Sequence, residues 1–517
     1  MKKIFVSPFL IAVLLSVSSC DKNFEEINTN PILPTSLDPV YQFSSSQMGS
    51  AVPTYHYQGA IVQQVVTPYG GVLEGGNRNT VNEANANAIY NSLYTGPVRN
   101  LTDIINQLKD NPERTNLYNM ARIWRAYCYQ VLVDTYGDVP YFEAGKGFLE
   151  GTYLPKYDDQ KVIYEDLLKE YQKATEALDP GKDIVGGDLF YQGDIARWKK
   201  LGNSLLLRAG MRYTKIDEAK AKAIAAIAVD PGRGGVMTSN NDNALIQFDA
   251  VYTNATSSAL LGGERHNYYI GKPFLDFLKS TNDPRLPYIA VKYEKASEPL
   301  ATAGAANSNP ADQEGMPYGY DENAITTAPG FPGKTGSAFN YSQFNRSTVF
   351  RIDAPEFLVT YAQTQLLIAE ANVRGYITTG DAKNFYEEGI KGHMTQKPLY
   401  GETLNITVDQ QNAYLQEPEV AFTPARALEQ INEQYWVASF RNWAEAWANF
   451  RRSGYPQLSP INFPGEDPEV DAGDAGGFIH RLTYPLREKS VNTANVNEAI
   501  SRMGADNLGT RLFWDKP

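Results

Sequence analysis

Cysteine is nearly absent from this chain: only Cys20 and Cys128 occur in 517 residues. If Cys20 is consumed by processing, as argued below, no thiol pair remains for an internal disulfide. Cys128 sits between Tyr127 and Tyr129 in a helical pattern and reads as a small buried apolar residue. A secreted chain of this length without disulfides must rely on a large packed core, which its size permits. Histidine is almost as scarce. His56, His266, His393 and His480 are scattered and no HExxH occurs, so a zincin-type metal site is not expected. No GxSxG nucleophile elbow is present. After the first 15 residues no apolar run approaches the length of a membrane span. Basic residues are the minority, 47 Lys and Arg against 59 Asp and Glu, for a net charge of −12. This acidic balance argues against nucleic acid and against electrostatic adhesion to anionic lipid.

Two further motifs fail on inspection. Gly333-Lys334-Thr335 would need a glycine at 328 to form a phosphate-binding loop; that residue is Ala328, and Pro329 and Pro332 remove amides from the cradle. Asp467, Glu469, Asp471 and Asp474 suggest calcium, but Ala472 and Phe478 stand where an EF-hand loop needs Gly and Glu. The acidic stretch reads as a solvated loop. No catalytic residue, metal or cofactor is expected.

What is present begins with the leader. Lys2 and Lys3 precede a mostly apolar stretch from Ile4 to Leu15, broken by Ser7 and Pro8, followed by Val17-Ser18-Ser19-Cys20. This reads as a secretory signal over 1–19 ending in a lipobox. Small residues let a signal peptidase close on the backbone, and the Cys20 thiol accepts diacylglycerol, so Cys20 is the expected lipidation site. More than one acyl chain, palmitate among them, gives stable anchoring. Removing Lys2 and Lys3 moves the net charge from −12 to about −14. Residues 20–40 read as lipidated Cys and tether, with Pro31, Pro34 and Pro39 resisting helix.

Helical periodicity predicts a scaffold over about 84–230 and 350–452, within one domain over 41–517. Helices are expected from Ala84, with a break at Gly96-Pro97, then over about 116–136, 160–178, 194–213 and 217–229. Others are expected over 354–374, 380–392 and 424–452. Asp194 is a predicted N-cap and Gly137 a predicted stop. In the last helix Trp436, Phe440, Trp443, Trp447 and Phe450 form an aromatic stripe at helical spacing, which points to core packing. Trp198-x-x-Leu201-Gly202 matches the start of a tetratricopeptide pattern. Residues 50–80 read as exposed loop with short ordered pieces, and 232–347 as a loop-rich insertion with a helical island near 273–278.

Several stretches, in order along the chain, resemble the SusD-like (SusD/RagB) family. They are Phe24-Glu25-Glu26-Ile27-Asn28-Thr29-Asn30-Pro31, Asp134-Thr135-Tyr136-Gly137-Asp138-Val139-Pro140-Tyr141, Pro155-Lys156-Tyr157-Asp158, and Gly193-Asp194 with Arg197-Trp198, Arg208 and Arg212. Asp283-Pro284-Arg285, Pro317-Tyr318-Gly319, Arg451-Arg452-Ser453-Gly454-Tyr455-Pro456 and Phe513-Trp514-Asp515 complete the series. The resemblance implies a mainly α fold with four tetratricopeptide-like helix pairs and a loop-rich ligand-binding face. It implies a non-enzymatic lipoprotein on the outer-membrane surface. It also implies that the protein captures oligosaccharides, or alternatively oligopeptides, as the lid of a SusC-like TonB-dependent transporter.

All six Trp lie in helical or terminal motifs and none in the loops, so stacking on ligand is expected from Tyr or Phe. Candidate ligand-binding residues are Tyr69, Glu74, Asn77 and Arg78 in one Gly-rich loop, with Tyr268, Tyr318 and Tyr320 in the insertion. Tyr252 and Tyr269 are the next candidates.

Overall fold

A computed structural model describes residues 38–52, 56–71 and 74–517. The leader, Cys20 and the tether through residue 37 lie outside the described residues, as does the side chain of Glu74. The chain is mainly α-helical, and its strands form five small antiparallel sheets of at most three strands among the described residues.

The scaffold helices are α1 (Arg99–Leu108), α2 (Thr115–Tyr136), α3 (Gln160–Ala177), α4 (Ile195–Met211), α5 (Glu218–Ala228), α6 (Tyr361–Val373), α7 (Ala382–Met394), α8 (Ala427–Ala438) and α9 (Trp443–Ser453). Four successive pairs pack together, α1 on α2, α3 on α4, α6 on α7 and α8 on α9. The pairs are joined through α2 on α3, α4 on α6 and α6 on α8. Their ends follow local chemistry. Asp159, Asp194 and Asp217 each accept a first-turn amide, the Asp194 bond from Arg197 N being 3.1 Å. Gly137 ends α2 at φ 83°, a conformation open to glycine.

Buried ion pairs lock the pairs to one another. Arg212, the C-cap of α4, reaches Asp134 of α2 at 3.2 Å and Glu445 of α9 at 2.8 Å. Arg452 of α9 grips both oxygens of Glu370 in α6, at 2.7 and 2.6 Å. Burial works against the charged form of Glu370, yet Arg452 and then Arg374 hold its pKa at about 2. Removing one member of such a pair strands a buried charge, at a cost of about 3–5 kcal/mol.

The structure corrects four expectations. Gly96-Pro97 does not end a helix: Glu83–Leu93 continues through a π-turn, Tyr94–Val98, into α1. The wider turn tolerates the missing proline amide. Residues 354–360 are not helical, because Glu356–Val359 is a strand paired with Ala244–Ile246; α6 starts only at Tyr361, where Thr360 as N-cap and Gln363 form a capping box. The expected 424–452 helix is two helices. Residues 439–442 interrupt it, with Arg441 at φ 72°, and Arg441 Nη2 meets Glu356 Oε2 at 2.8 Å. All five aromatics of the stripe are nonetheless buried, Phe440 within the break and the other four in the helices on either side of it.

The fourth correction concerns residues 50–80. His56–Ile61 is a short helix, one of the ordered pieces expected there, but residues 57–68 are buried rather than exposed. Their glutamines supply the polar contacts that burial requires. Gln64 Nε2 donates to Trp436 O at 2.8 Å, Trp443 Nε1 donates to Gln64 Oε1 at 2.8 Å, and Trp436 Nε1 donates to Val62 O at 3.0 Å. Helices α8 and α9 thus grip this segment from beneath.

Candidate functional site

Segment 62–66 continues into the surface where the loops meet. Strand β1 (Val65–Val66) pairs antiparallel with β2 (Tyr269–Ile270). Met316 N donates to Ile270 O at 2.9 Å, and Ile270 N donates to Ser342 O at 3.0 Å. Four stretches far apart in sequence, around 65, 270, 316 and 342, therefore form one backbone-bonded patch. Gly271 makes this possible: a Cβ there would lie 2.4 Å from Gln63 O and 2.7 Å from Tyr318 Oη. A hairpin completes the patch, β3 (Lys334–Thr335) against β4 (Ala338–Phe339), and Phe339 N donates to Tyr269 Oη at 3.0 Å.

Side chains from these stretches form a second small core. Val66, Tyr269, Met316, Ile325, Ala328, Phe339 and Tyr341 are buried in it. Tyr69, Tyr318, Tyr320 and Phe331 pack on it half-exposed. The Tyr69 ring lies 5.9 Å from Phe339 and edge-on to His266 at 6.4 Å, and Phe331 lies 6.2 Å from Tyr341. The result is an aromatic floor whose rim is partly open.

Polar groups surround it. Arg78 donates to Pro68 O at 2.8 Å, stands over the Phe463 ring at 4.9 Å and lies 3.8 Å from Glu322. That pair joins the Gly-rich loop to the insertion just after Tyr320. Burial, and then Glu322, raise the Tyr69 pKa, so its hydroxyl stays protonated and able to donate. Burial pushes the Tyr341 hydroxyl up to about 12. Tyr341 Oη and His266 Nδ1 are both buried without a hydrogen-bond partner among the described residues. Such unsatisfied groups are costly and call for an explanation.

The sequence candidates separate on this surface. Tyr69, Tyr318, Tyr320 and Arg78 come together. Tyr318 is half committed, because its hydroxyl donates to Val65 O at 2.7 Å and so pins the floor. Asn77, expected to face ligand, is fully buried and donates to Thr67 O at 2.6 Å; it shapes the loop from within. Glu74 opens the short helix Glu74–Arg78, but its side chain lies outside the described residues. Tyr268, also expected at the site, packs instead on the main core and lines a separate apolar pocket with Phe344, Phe350 and Trp443. Successive residues of β2 face opposite ways, Tyr269 into the second core and Ile270 into the main one, and Tyr268, just ahead of the strand, packs on the same side as Ile270. Tyr252 is 69% exposed on another loop, and Tyr269 is fully buried.

Phe331, Phe339, Tyr341, His266 and Glu322 were not singled out from sequence. The spacing of Phe339 and Tyr341, two apart in a Gly- and Asn-rich stretch, is the signal that could have found them. All six tryptophans are buried, so the aromatic surface is made of Tyr and Phe.

Stacked helix pairs carrying a loop-built, tyrosine-rimmed patch define the class of this molecule. The chain belongs to the SusD-like family: the family profile, described as starch-binding associating with outer membrane, matches residues 23–485. Among solved structures, a chitin-binding protein is similar at 29% identity and TM-score 0.77, over 93% of this chain and 100% of its own. A SusD-like protein of Bacteroidetes AC2a is similar at 27% identity and TM-score 0.79, again over 93% and 100%. A chitin-binding SusD homolog from Flavobacterium johnsoniae shares the fold at 23% identity and TM-score 0.75, over 93% and 99%. No curated protein matches the chain.

Proposed function

We propose that this protein is a lipid-anchored, surface-exposed glycan-binding protein. It captures oligosaccharides on the patch rimmed by Tyr69, Tyr320 and Phe331 and releases them to a SusC-like TonB-dependent transporter that it caps. The observation that carries this reading is the convergence of four distant stretches on one aromatic floor with unsatisfied polar groups beside it. Pyranose faces stack on half-exposed Tyr and Phe rings, and ring hydroxyls pair with Tyr, His and Arg. The likeness to the chitin-binding protein favours glycan over oligopeptide. Binding, not bond cleavage, is the expected activity.

Titration calorimetry with chito-, malto- and peptide oligomers tests it. Tyr320→Ala and Tyr69→Ala should each weaken binding of the cognate glycan about tenfold, or ~1.4 kcal/mol, without changing the thermal midpoint. Arg78→Ala should act in the same direction. Unchanged affinity in all three would place capture elsewhere, and preference for peptide would replace glycan by the oligopeptide reading.

A further inference from the structure

A second cleft, of about 440 Å³, opens between the helical stretch 90–99, the loop 140–155 and the segment 485–492. It shares no lining residue with the patch around Tyr320. One wall is tyrosine: the Tyr90 and Tyr94 rings lie 4.5 Å apart. Their hydroxyls are tied down, Tyr94 donating to Pro140 O at 2.6 Å and Tyr90 lying 3.0 Å from Tyr157 Oη. On the facing loop Tyr153 is 79% exposed, one of the most open aromatic rings of the described chain.

The charges are the unusual part. Arg99 and Arg487 both line the cleft and are exposed. Neither forms an ion pair with a described residue; Arg99 meets only the Asn100 amide oxygen, at 3.4 Å. The one carboxylate of the lining, Glu488, accepts from Tyr157 Oη at 3.2 Å. On a chain of net charge −12, two cations left without carboxylates beside tyrosine faces favour an anionic ligand. Arg99 also follows directly on the π-turn Tyr94–Val98, and such turns recur at functional sites.

We propose that this cleft is a second oligosaccharide site, selective for sugars that carry carboxylates. Arg99 and Arg487 hold the carboxylate, and Tyr153 stacks on a sugar ring. The site rests on the reading that the protein captures glycans, and it extends that reading to acidic ones. A concave, tyrosine-walled cup suits a short oligomer better than a flat protein face does.

The test is calorimetric titration of the purified protein with trigalacturonate, its methyl ester and triglutamate. Trigalacturonate should bind, and the ester, which has the same rings without the charge, should bind about tenfold more weakly. Arg99→Gln and Arg487→Gln should each weaken the acidic trimer about fivefold or more without altering thermal stability, since both side chains are exposed. Tyr320→Ala should leave its affinity unchanged. Four outcomes would overturn the proposal: no binding of trigalacturonate, equal binding of the ester, loss of binding in Tyr320→Ala, or unaltered binding in the Arg99→Gln/Arg487→Gln double variant. Triglutamate binding as tightly as the sugar would overturn it too and mark the cleft as a protein-docking groove. Neutral chito-oligomers titrated alongside report on the Tyr320 patch separately, so failure there and failure here can be told apart.

Discussion

The Tyr318 hydroxyl donates a 2.7 Å hydrogen bond to the carbonyl of Val65, joining residues 253 positions apart across the floor of the tyrosine patch. Tyr318→Phe keeps the ring and removes only that donor. The Val65 carbonyl is then left short of a partner in a buried setting, at a cost of about 1–3 kcal/mol. We expect the denaturation midpoint to fall and glycan affinity to drop less than in Tyr320→Ala. A larger loss of affinity in Tyr318→Phe would show that the hydroxyl serves ligand rather than floor.

Trp443 tests the link between scaffold and patch. Its ring is buried at the start of α9 and its indole N–H donates to Gln64. Trp443→Ala should destabilise the protein by about 3–5 kcal/mol in chemical denaturation, as large aromatic truncations in cores do. The folded fraction should still bind glycan. A stable variant without affinity would move α9 from scaffold to binding site.

Glu433 on α8 offers a pH test. Burial first, then the neighbouring Glu429, raise its pKa from 4.5 to about 7. The folded state therefore holds this proton more tightly than the unfolded chain, and stability falls as pH rises from about 4.5 through 7. Glu433→Gln removes the effect. The variant should match the wild type near pH 4 and exceed it by about 1–3 kcal/mol at pH 8. Equal stability of the two proteins at pH 8 would show that the carboxylate is already well solvated when charged.

Cys20 carries the anchoring expectation. Cys20→Ala should shift the protein from the membrane fraction to the soluble fraction of cells that lack the proposed transporter partner. Retention in the membrane would assign attachment to another feature of the chain.

Much of the scaffold was legible because its signals are local. Asp194 and Asp217 cap the helices they precede, and Gly137 ends α2 where its left-handed backbone is needed. The break at 439–442 was not, because the aromatic spacing runs on at helical period through residues that are not helical. Its cause is tertiary: Arg441 turns out of the helix to reach Glu356 and Val349. Residues 57–68 read as loop because the Gly-, Tyr- and Asn-rich composition of 50–80 as a whole masked the short apolar run of Ala60, Ile61, Val62, Val65 and Val66. Their burial depends on carbonyl and indole partners on α8, about 370 residues away, which no local pattern reveals. On the site surface the loop tyrosines stood out by composition, whereas Phe331 and Phe339 did not. The divergence of Tyr269 from Ile270 follows from strand geometry, once β2 is known to be a strand.

The grip of α8 and α9 on Gln64 also bears on how the protein releases what it holds. A floor bonded to the scaffold by two indoles and a glutamine is already ordered before any sugar arrives. Association then needs little loss of chain entropy, and departure needs no loop to melt. Exchange should therefore be fast in both directions, with a lifetime set by a few ring and hydroxyl contacts, as the proposed hand-over of cargo to a transporter would require.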